Sequence, residues 1–408
     1  MHVTDIIEDV ASEPDPSPRA PPSLSPMPAR SEAGAPGAVA STRRCLVEMK
    51  PFWCELEGRA SGVPLYQSHG WCKAWVESCA AIGKPVDVRI VTVVDGDRIV
   101  LLWPLCVRRL GPIGILHALA EPATQYCGLL VESSPLASHW IALAWQHIRA
   151  EPGVDFVHLH NVRSDSDLAD FAAQHLGWAI LHQDVAPFLR FSKAAAGPGV
   201  DPRPKLRSGR SLNALKRHWR NLEKRGEVAF QIVPRCRHVA AIEEALSLKR
   251  AWLVDRGAVS AGYDHPANHA AILEMARNGK FAITRLAVDG QTVAIEIGLL
   301  DRGHYCSLIQ SYDLEYAAHA PGRLLLWRLL TGTDFDIETF DFLPPAHPHK
   351  TEWTSCAVVV TDYAVPLNLK GRIAAFYLRE GKGLLKRLFS RLPRNVRIRL
   401  VGWAHRFY

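Results

Sequence analysis

Apolar residues along this 408-residue chain alternate between a helical spacing of three to four and the short runs or strict alternation of strands. Residues 69–81 carry a helical pattern that passes through Gly83 into a predicted strand at 86–94. Asp95-Gly96 is a tight-turn signal, and a second strand is expected at 99–105. The same order returns 194 residues later as a helix at 267–277, Gly279, a strand at 281–288, Asp289-Gly290 and a strand at 293–300. Each half then runs through further extended segments into an apolar helix, 136–149 and 323–330, and on into a strand, 155–160 and 335–343. A helix–hairpin–strand–helix–strand order that occurs twice predicts a duplicated α/β unit with mixed sheets, repeated in pattern rather than in identity.

Two segments break the pattern. Residues 1–45 hold eight prolines between Glu13 and Gly37, among Ser, Ala and Gly, and this composition buries too little apolar surface to offset ordering entropy; disorder is expected. Residues 194–211, rich in Gly, Pro and Arg, read as a linker. The folded units are therefore expected at 49–193 and 212–369, with a tail at 370–408.

Composition narrows the class. The chain is 48% hydrophobic and 22% charged, ordinary values for a protein that buries a core. No apolar run approaches the roughly 18–20 residues needed to cross a bilayer, and the first residues lack the basic-then-apolar order of a signal peptide. Nine scattered cysteines without a CxxC pair argue against a disulfide scaffold and a zinc site, so the cytoplasm is the expected compartment.

The net charge of +7 is unevenly placed. Nine basic residues face one acid between 202 and 226, and eleven face one acid from 370 to 408, leaving the rest of the chain net negative. Within 212–225, Leu212, Leu215, Trp219 and Leu222 share one helical face, with Lys216, Arg217, Arg220 and Lys224 on or beside the other. This is either a docking helix with solvated charges or a cationic rim for an anionic ligand such as a nucleotide phosphate. No RNA- or DNA-binding signature accompanies it, so nucleic acid is not expected as the main partner. The tail interleaves Leu384, Leu385, Leu388, Phe389, Trp403, Phe407 and Tyr408 with basic residues. It suits peripheral contact with an anionic membrane face, or packing back on the domain with its charges in water.

Several chemistries have no carrier: GxxxxGK[ST], GxGxxG, GxSxG and HExxH are all missing. His158 and His160 share a strand face, and His347 and His349 flank Pro348, but neither pair has a third ligand nearby in sequence. Strand packing and a polar loop are the expected roles, and no metal is expected.

Residues 317–353 are more specific. AAHAPGRLLLWRLL is followed by FDIETFDFLPPAHPHKTEW, which presents a Pro-Gly before a Leu-rich helix, a strand ending in Asp-Phe-Leu, a short loop, and a Lys followed by an aromatic. This pattern (Pro321, Gly322, Leu324–Leu326, Asp341, Phe342, Leu343, Lys350, Trp353) resembles GNAT-type acyltransferases of the BioF-type acetyltransferase group. That group includes cellulose-biosynthesis-like proteins and is distantly related to the Fem peptidyltransferases. LYQSHGW at 65–71, Trp103-Pro104-Leu105 and the basic helix at 215–228 are similar to further family stretches, so the likeness spans about 60–370. The family usually has Gly after Asp-Phe-Leu and Tyr before the Lys, where this chain has Pro344 and His349.

The resemblance implies tandem GNAT-like units and transfer of an acyl group from acyl-CoA, acetyl or longer, to an amine, for instance on a sugar or a cell-envelope precursor. Two alternatives stay open: a Fem-like transferase using aminoacyl-tRNA, and a non-catalytic accessory protein of polysaccharide assembly. Acyl transfer to an amine needs delivery of a neutral amine, stabilisation of an oxyanion and departure of a thiolate, but no covalent enzyme intermediate. Candidate roles follow from that. Pro321 and Gly322 open the Leu-rich helix, where free N–H groups can hold a pyrophosphate, and Arg323 can add charge. Glu296, an acid inside an apolar strand, is either a base for the incoming ammonium or a solvent-facing residue. Tyr305 and Tyr312 either protonate the thiolate, line the pocket or simply pack. Asp341 is a candidate to orient or deprotonate the acceptor, and Lys350 to stabilise an oxyanion or bind an acidic acceptor. The active centre is expected in the second half, with the first half as a structural or acceptor-binding partner.

Overall fold

Both Asp-Gly signals become hairpins, and the two halves of the chain are built around them. The computed structural model describes residues 37–62, 65–175, 177–191, 209–258, 260, 263, 265–278, 280–332, 335–381, 391–393, 395–397 and 399–400. The first half runs β1 (Val39–Arg43), α1 (Leu46–Arg59), α2 (His69–Ala81), β2 (Asp87–Asp95), β3 (Arg98–Leu110), β4 (Ile113–Ala118), β5 (Leu130–Val131), α3 (Ala137–Arg149), β6 (Phe156–Arg163), α4 (Asp167–Gln174) and β7 (Ala179–Arg190). The second half runs α5 (Gly209–Glu223), β8 (Val228–Ile232), α6 (His238–Asp255), α7 (Pro266–Asn278), β9 (Phe281–Val288), β10 (Gln291–Asp301), β11 (His304–Tyr312), α8 (Pro321–Thr331), β12 (Thr339–Asp341), α9 (Pro348–Thr351), β13 (Ala357–Pro366) and α10 (Leu369–Phe376). In the β9–β10 hairpin Asp289 and Gly290 both have positive φ, as a two-residue turn matching strand twist requires.

The strand order is β1-β2-β3-β4-β6-β13-β7-β12-β11-β10-β9-β8. Each half contributes the same progression: three antiparallel pairings followed by one parallel pairing across a helix, β4 with β6 and β11 with β12. The fold class is therefore α/β with mixed sheets, as the element order implies. The halves also exchange strands. β13, from the end of the second half, lies antiparallel between β6 and β7 of the first. β7 pairs with β13 over residues 179–187 and with β12 over 188–190, so it belongs to both sheets.

Packing follows the alternation of side chains. In the first half, α3 buries Trp140, Ile141, Ala144 and Ile148 against Val91, Val93 and Trp103 on one sheet face. On the other face α1 sets Leu46, Met49, Trp53 and Leu56 against Val88, Ile90 and Leu102. In the second half, α6 and α7 cover Ile295, Ile297 and Leu299, and Trp71, Trp75 and Cys79 of α2 join that same cluster and tie the halves together. The opposite face, with Val293, Ala294, Tyr305 and Phe340, is covered by α8 and by Leu215 and Leu222 of α5.

The expected disorder of 1–45 is corrected at its C-terminal end. Residues 39–43 form β1, paired along β2 from Val39↔Val94 to Arg43↔Ile90. Local composition hid it, because an edge strand needs only one partner and a few apolar contacts. Residues 1–36, the expected linker up to 208, and 382–390 and 401–408 of the tail lie outside the described residues. No helix among the described residues is long and apolar enough to cross a membrane.

Candidate active site

A parallel pair of strands joined by a crossover helix must diverge where the chain leaves for the helix, and the two halves treat that gap differently. In the first half, β4 pairs with β6 only at Ile115↔Phe156 and Leu116↔Val157. The segment after β4 then closes on β6: Cys127 N–H donates to His160 O (3.1 Å), and Asn161 Nδ2 donates to Gln125 O (3.1 Å). In the second half the ladder between β11 and β12 stops at Cys306↔Asp341. Beyond it β11 continues to Tyr312, and among the described residues no strand pairs with it on that side. The chain after β12 turns away at Leu343, whose φ of 62° is unusual for a bulky residue. Both backbone groups of Leu343 are pinned. Its N–H donates to Asp341 Oδ1 (2.8 Å), and its C=O accepts from Lys350 Nζ (2.9 Å).

Glu296 lies on the α8 side of β10 in this half and is fully buried. Its neighbours on β11 clamp both oxygens: Ser307 Oγ donates to Oε1 (2.5 Å) and Gln310 Nε2 donates to Oε2 (3.2 Å). Burial raises its pKa to about 8, against the opposing pull of those two hydrogen bonds and of Lys249 and Lys350. A carboxyl tuned to this range can hold or accept a proton near neutral pH.

Above Gln310 sits the start of α8. Ala320, at φ 51°, turns the chain into the helix, and Pro321 occupies its first turn. Arg323 and Leu324 N–H both return to Ala320 O (3.0 and 3.1 Å). Pro321 has no N–H, so Gly322 supplies an orphan donor at the positive end of the helix. A Cβ at Gly322 would meet only Gln310 Oε1 at 3.5 Å and Tyr312 Cδ1 at 3.8 Å, ordinary contacts. The protein itself therefore does not demand glycine here. Cations gather around this end. His349 is pushed down to about 4 by burial and then by Lys350, His347, Lys249 and Arg323. His347 and His349 stack with ring centroids 5.5 Å apart.

The other sequence candidates are placed differently. Tyr305 shares the Glu296 side of the sheet, but it is a core residue. It stacks on Phe340 at 4.7 Å, donates to Ala282 O (3.4 Å), and lies so close to Gly298 that a Cβ there would fall 2.0 Å from its ring. Tyr312, half-buried beside Gly322, accepts from Trp252 Nε1 (3.1 Å). Arg323 is exposed and already paired with Glu352 (2.6 Å), so its charge is partly compensated.

Asp341 is fully buried and faces the first half. It accepts from Tyr126 Oη (2.8 Å), Arg163 Nη1 (2.6 Å) and Leu343 N–H (2.8 Å). Burial alone would raise its pKa, but the hydrogen bond from His304, the Arg163 charge and the Leu343 N–H hold it below the usual carboxylate range. A carboxylate saturated with donors from both halves and held ionised joins the two halves. His304, Cys306 and Asp341 also bring three ligand-type atoms within 4.8 Å of one another, but the Arg163 guanidinium already supplies the cation at that carboxylate. His158 stacks beside Phe156, and His160 pairs with Asp362 (2.9 Å).

Sequence reasoning missed Ser307, Gln310, Lys249, Tyr126 and Arg163. Ser307 and Gln310 carried a usable signal, since they interrupt an apolar strand opposite the acid that interrupts its neighbour. Arg163 meets Asp341 across 178 positions, and nothing local announces that pairing.

Residues 209–351 match the family model described as an acetyltransferase (GNAT) domain. Among solved structures, FemX aligns at 10% identity and a TM-score of 0.52, covering 81% of this chain and 98% of that one. A conserved protein of unknown function from Bacteroides thetaiotaomicron VPI-5482 aligns at 12% identity and a TM-score of 0.50, covering 80% of this chain and 99% of that one. No curated protein sequence matches. The half that holds Glu296 and the open strand gap is thus the half that matches the GNAT acetyltransferase domain, within a fold shared with FemX.

Proposed function

We propose that the protein is a GNAT-type N-acyltransferase that moves an acyl group from acyl-CoA to an amine, with Glu296 as general base. The observation that carries this reading is a fully buried carboxyl of pKa about 8 beneath a helix N-terminus, beside a strand edge that is unpaired among the described residues. The donor pyrophosphate suits the Gly322 N–H and the cations around it. The extended arm of the donor suits the free edge of β11, whose N–H groups can also face the carbonyl oxygen as it becomes an oxyanion. The amine attacks the thioester carbon, a C–N bond forms, the C–S bond breaks with CoA leaving as its thiolate, and the amine proton passes to Glu296. Lys350 fixes the loop through Leu343, and Asp341 fixes the same residue from the other side, so both are positioning residues in this scheme. The acceptor class is a small molecule or saccharide carrying an amine.

Titration with acetyl-CoA tests the donor. At one hundred times its dissociation constant, acetyl-CoA is expected to stabilise the fold by about 2.7 kcal/mol, read as a thermal shift. No shift with acetyl-CoA or longer acyl-CoAs would refute this donor class, and a shift with aminoacyl-tRNA alone would establish the Fem-like alternative. Gly322→Ala is expected to weaken acyl-CoA binding at least tenfold with no loss of melting temperature, because its Cβ clashes with nothing in the protein.

In this reading the enzyme works in the cytoplasm and touches a membrane face through its C-terminal segment. Leu369, Ile373 and Phe376 of α10 are 72%, 61% and 70% exposed, spaced four and three apart, beside exposed Lys370 and Arg372. Flotation with phosphatidylglycerol vesicles is expected, and Ile373→Glu with Phe376→Glu should abolish it; recovery only in the protein pellet would refute the contact.

A further inference from the structure

Helices α5 and α8 border an open surface cavity of about 530 Å³, lined by Asn213, Lys216, Trp219, Arg220, Trp327 and Arg328. Trp327 and Arg328 lie roughly 7.5–9 Å further along α8 than Gly322, at about 1.5 Å per residue, and Glu296 is not among the lining residues. We infer that this cavity binds a nucleotide, with the base against the two indoles and its phosphate on the three cations.

Four observations support that ligand class. The first is charge. Lys216, Arg220 and Arg328 line one cavity with no acid among its walls. Among the described residues none of the three is paired with a carboxylate, whereas neighbouring Arg225 and Arg323 are paired with Glu315 and Glu352. Lys216 and Arg220 are also one helical turn apart, a like-charge spacing that disfavours the helix until an anion offsets it. The second is aromatic surface. Trp219 and Trp327 meet edge to face, with centroids 6.2 Å apart, and both remain only partly buried. A pair of indoles left open beside cations suits a planar base, which stacks on indole whatever its identity. The third is preorganisation. Arg328 lies over the rings of Trp219 (5.9 Å) and Phe230 (5.8 Å), so its guanidinium is held in place before any ligand arrives. Trp219 is fixed in turn by donating to Glu223 Oε1 (2.8 Å). The fourth is size, since the volume falls in the range of small-molecule sites.

The same chemistry has two sources: the nucleotide end of a CoA-type donor, or a nucleotide within single-stranded RNA. Isothermal titration of the full chain with adenosine 3′,5′-bisphosphate, with an eight-nucleotide single-stranded RNA and with inorganic pyrophosphate separates them. At least one nucleotide probe is expected to bind at least tenfold more tightly than pyrophosphate. Trp327→Ala and the Lys216→Ala/Arg220→Ala pair are each expected to weaken that binding at least tenfold. Lys216 and Arg220 are exposed, whereas Trp327 is partly buried against the core, so a retained cooperative melting transition checks that each variant folds. Binding of the bisphosphate alone assigns the cavity to the donor, and binding of the RNA alone assigns it to a polynucleotide. Three results would overturn the inference: no nucleotide binding, pyrophosphate binding as tight as the nucleotide, or nucleotide binding that survives both variants. Loss of binding in Gly322→Ala but not in Trp327→Ala would likewise overturn it, by locating the nucleotide at the start of α8.

Discussion

Glu296→Gln is expected to lower kcat by about 10²–10⁴, the contribution of a positioned general base, while leaving acyl-CoA affinity within a factor of a few. In the unmodified enzyme kcat/KM should rise with pH and level off above the Glu296 pKa of about 8, and the variant should lose that limb. Gln keeps a hydrogen-bonding group between Ser307 and Gln310, so the fall in rate cannot be assigned to a collapsed site. The same substitution has a consequence for stability. The folded pKa lies above the unfolded value near 4.5, so the stability this group contributes is complete below about pH 4.5 and is lost as pH rises through 8. The variant lacks that loss and should be the more stable protein at pH 9, by about 5 kcal/mol as an upper bound. Urea unfolding at pH 6 and pH 9 reads the difference. A flat pH–rate profile with near-normal turnover in the variant would remove Glu296 from the mechanism.

Arg163→Ala is expected to destabilise the fold by about 3–5 kcal/mol, because it leaves Asp341 ionised and fully buried without its counter-charge. Urea unfolding of the full chain reads it. Asp341→Asn in the same background should recover part of the loss, since the uncompensated charge is then gone. Asp341→Asn alone should cost less than Arg163→Ala, because Arg163 keeps its two bonds to Asp165. Equal effects of the two single variants, with no coupling, would show that the pair does not act as a unit. Arg163→Ala should also lower turnover, because Asp341 holds Leu343 and Leu343 receives Lys350.

Much of the fold could be read along the chain because local signals and tertiary needs coincide there. The Asp-Gly turns, the apolar runs of β9 and β10, and Pro321-Gly322 at the start of α8 each state their structure within a few residues. The basic helix is legible for the same reason, and Leu215 and Leu222 dock as their spacing requires. Glu296 stands out in the sequence as a carboxyl inside an apolar run, and the structure buries it fully between β11 donors. What could not be read depends on partners far along the chain. An apolar strand such as 357–366 announces that it is buried but not between which neighbours. Asp341 at a strand end beside a polar loop looks like an active-site acid, and only Tyr126 and Arg163, contributed by the other half, turn it into a joint.

The position of β13 bears on how the protein is made. β6 and β7 both pair with a strand that is synthesised about 170–210 residues after them. At roughly 5–20 residues per second of translation, the first half waits about 10–40 s for its central strand. During that interval β6 and β7 each present an unpaired edge, the state in which a chain is most exposed to mispairing and to chaperones. A premature stop just before residue 357 would therefore do its greatest damage some two hundred residues upstream, in a half whose own sequence is intact.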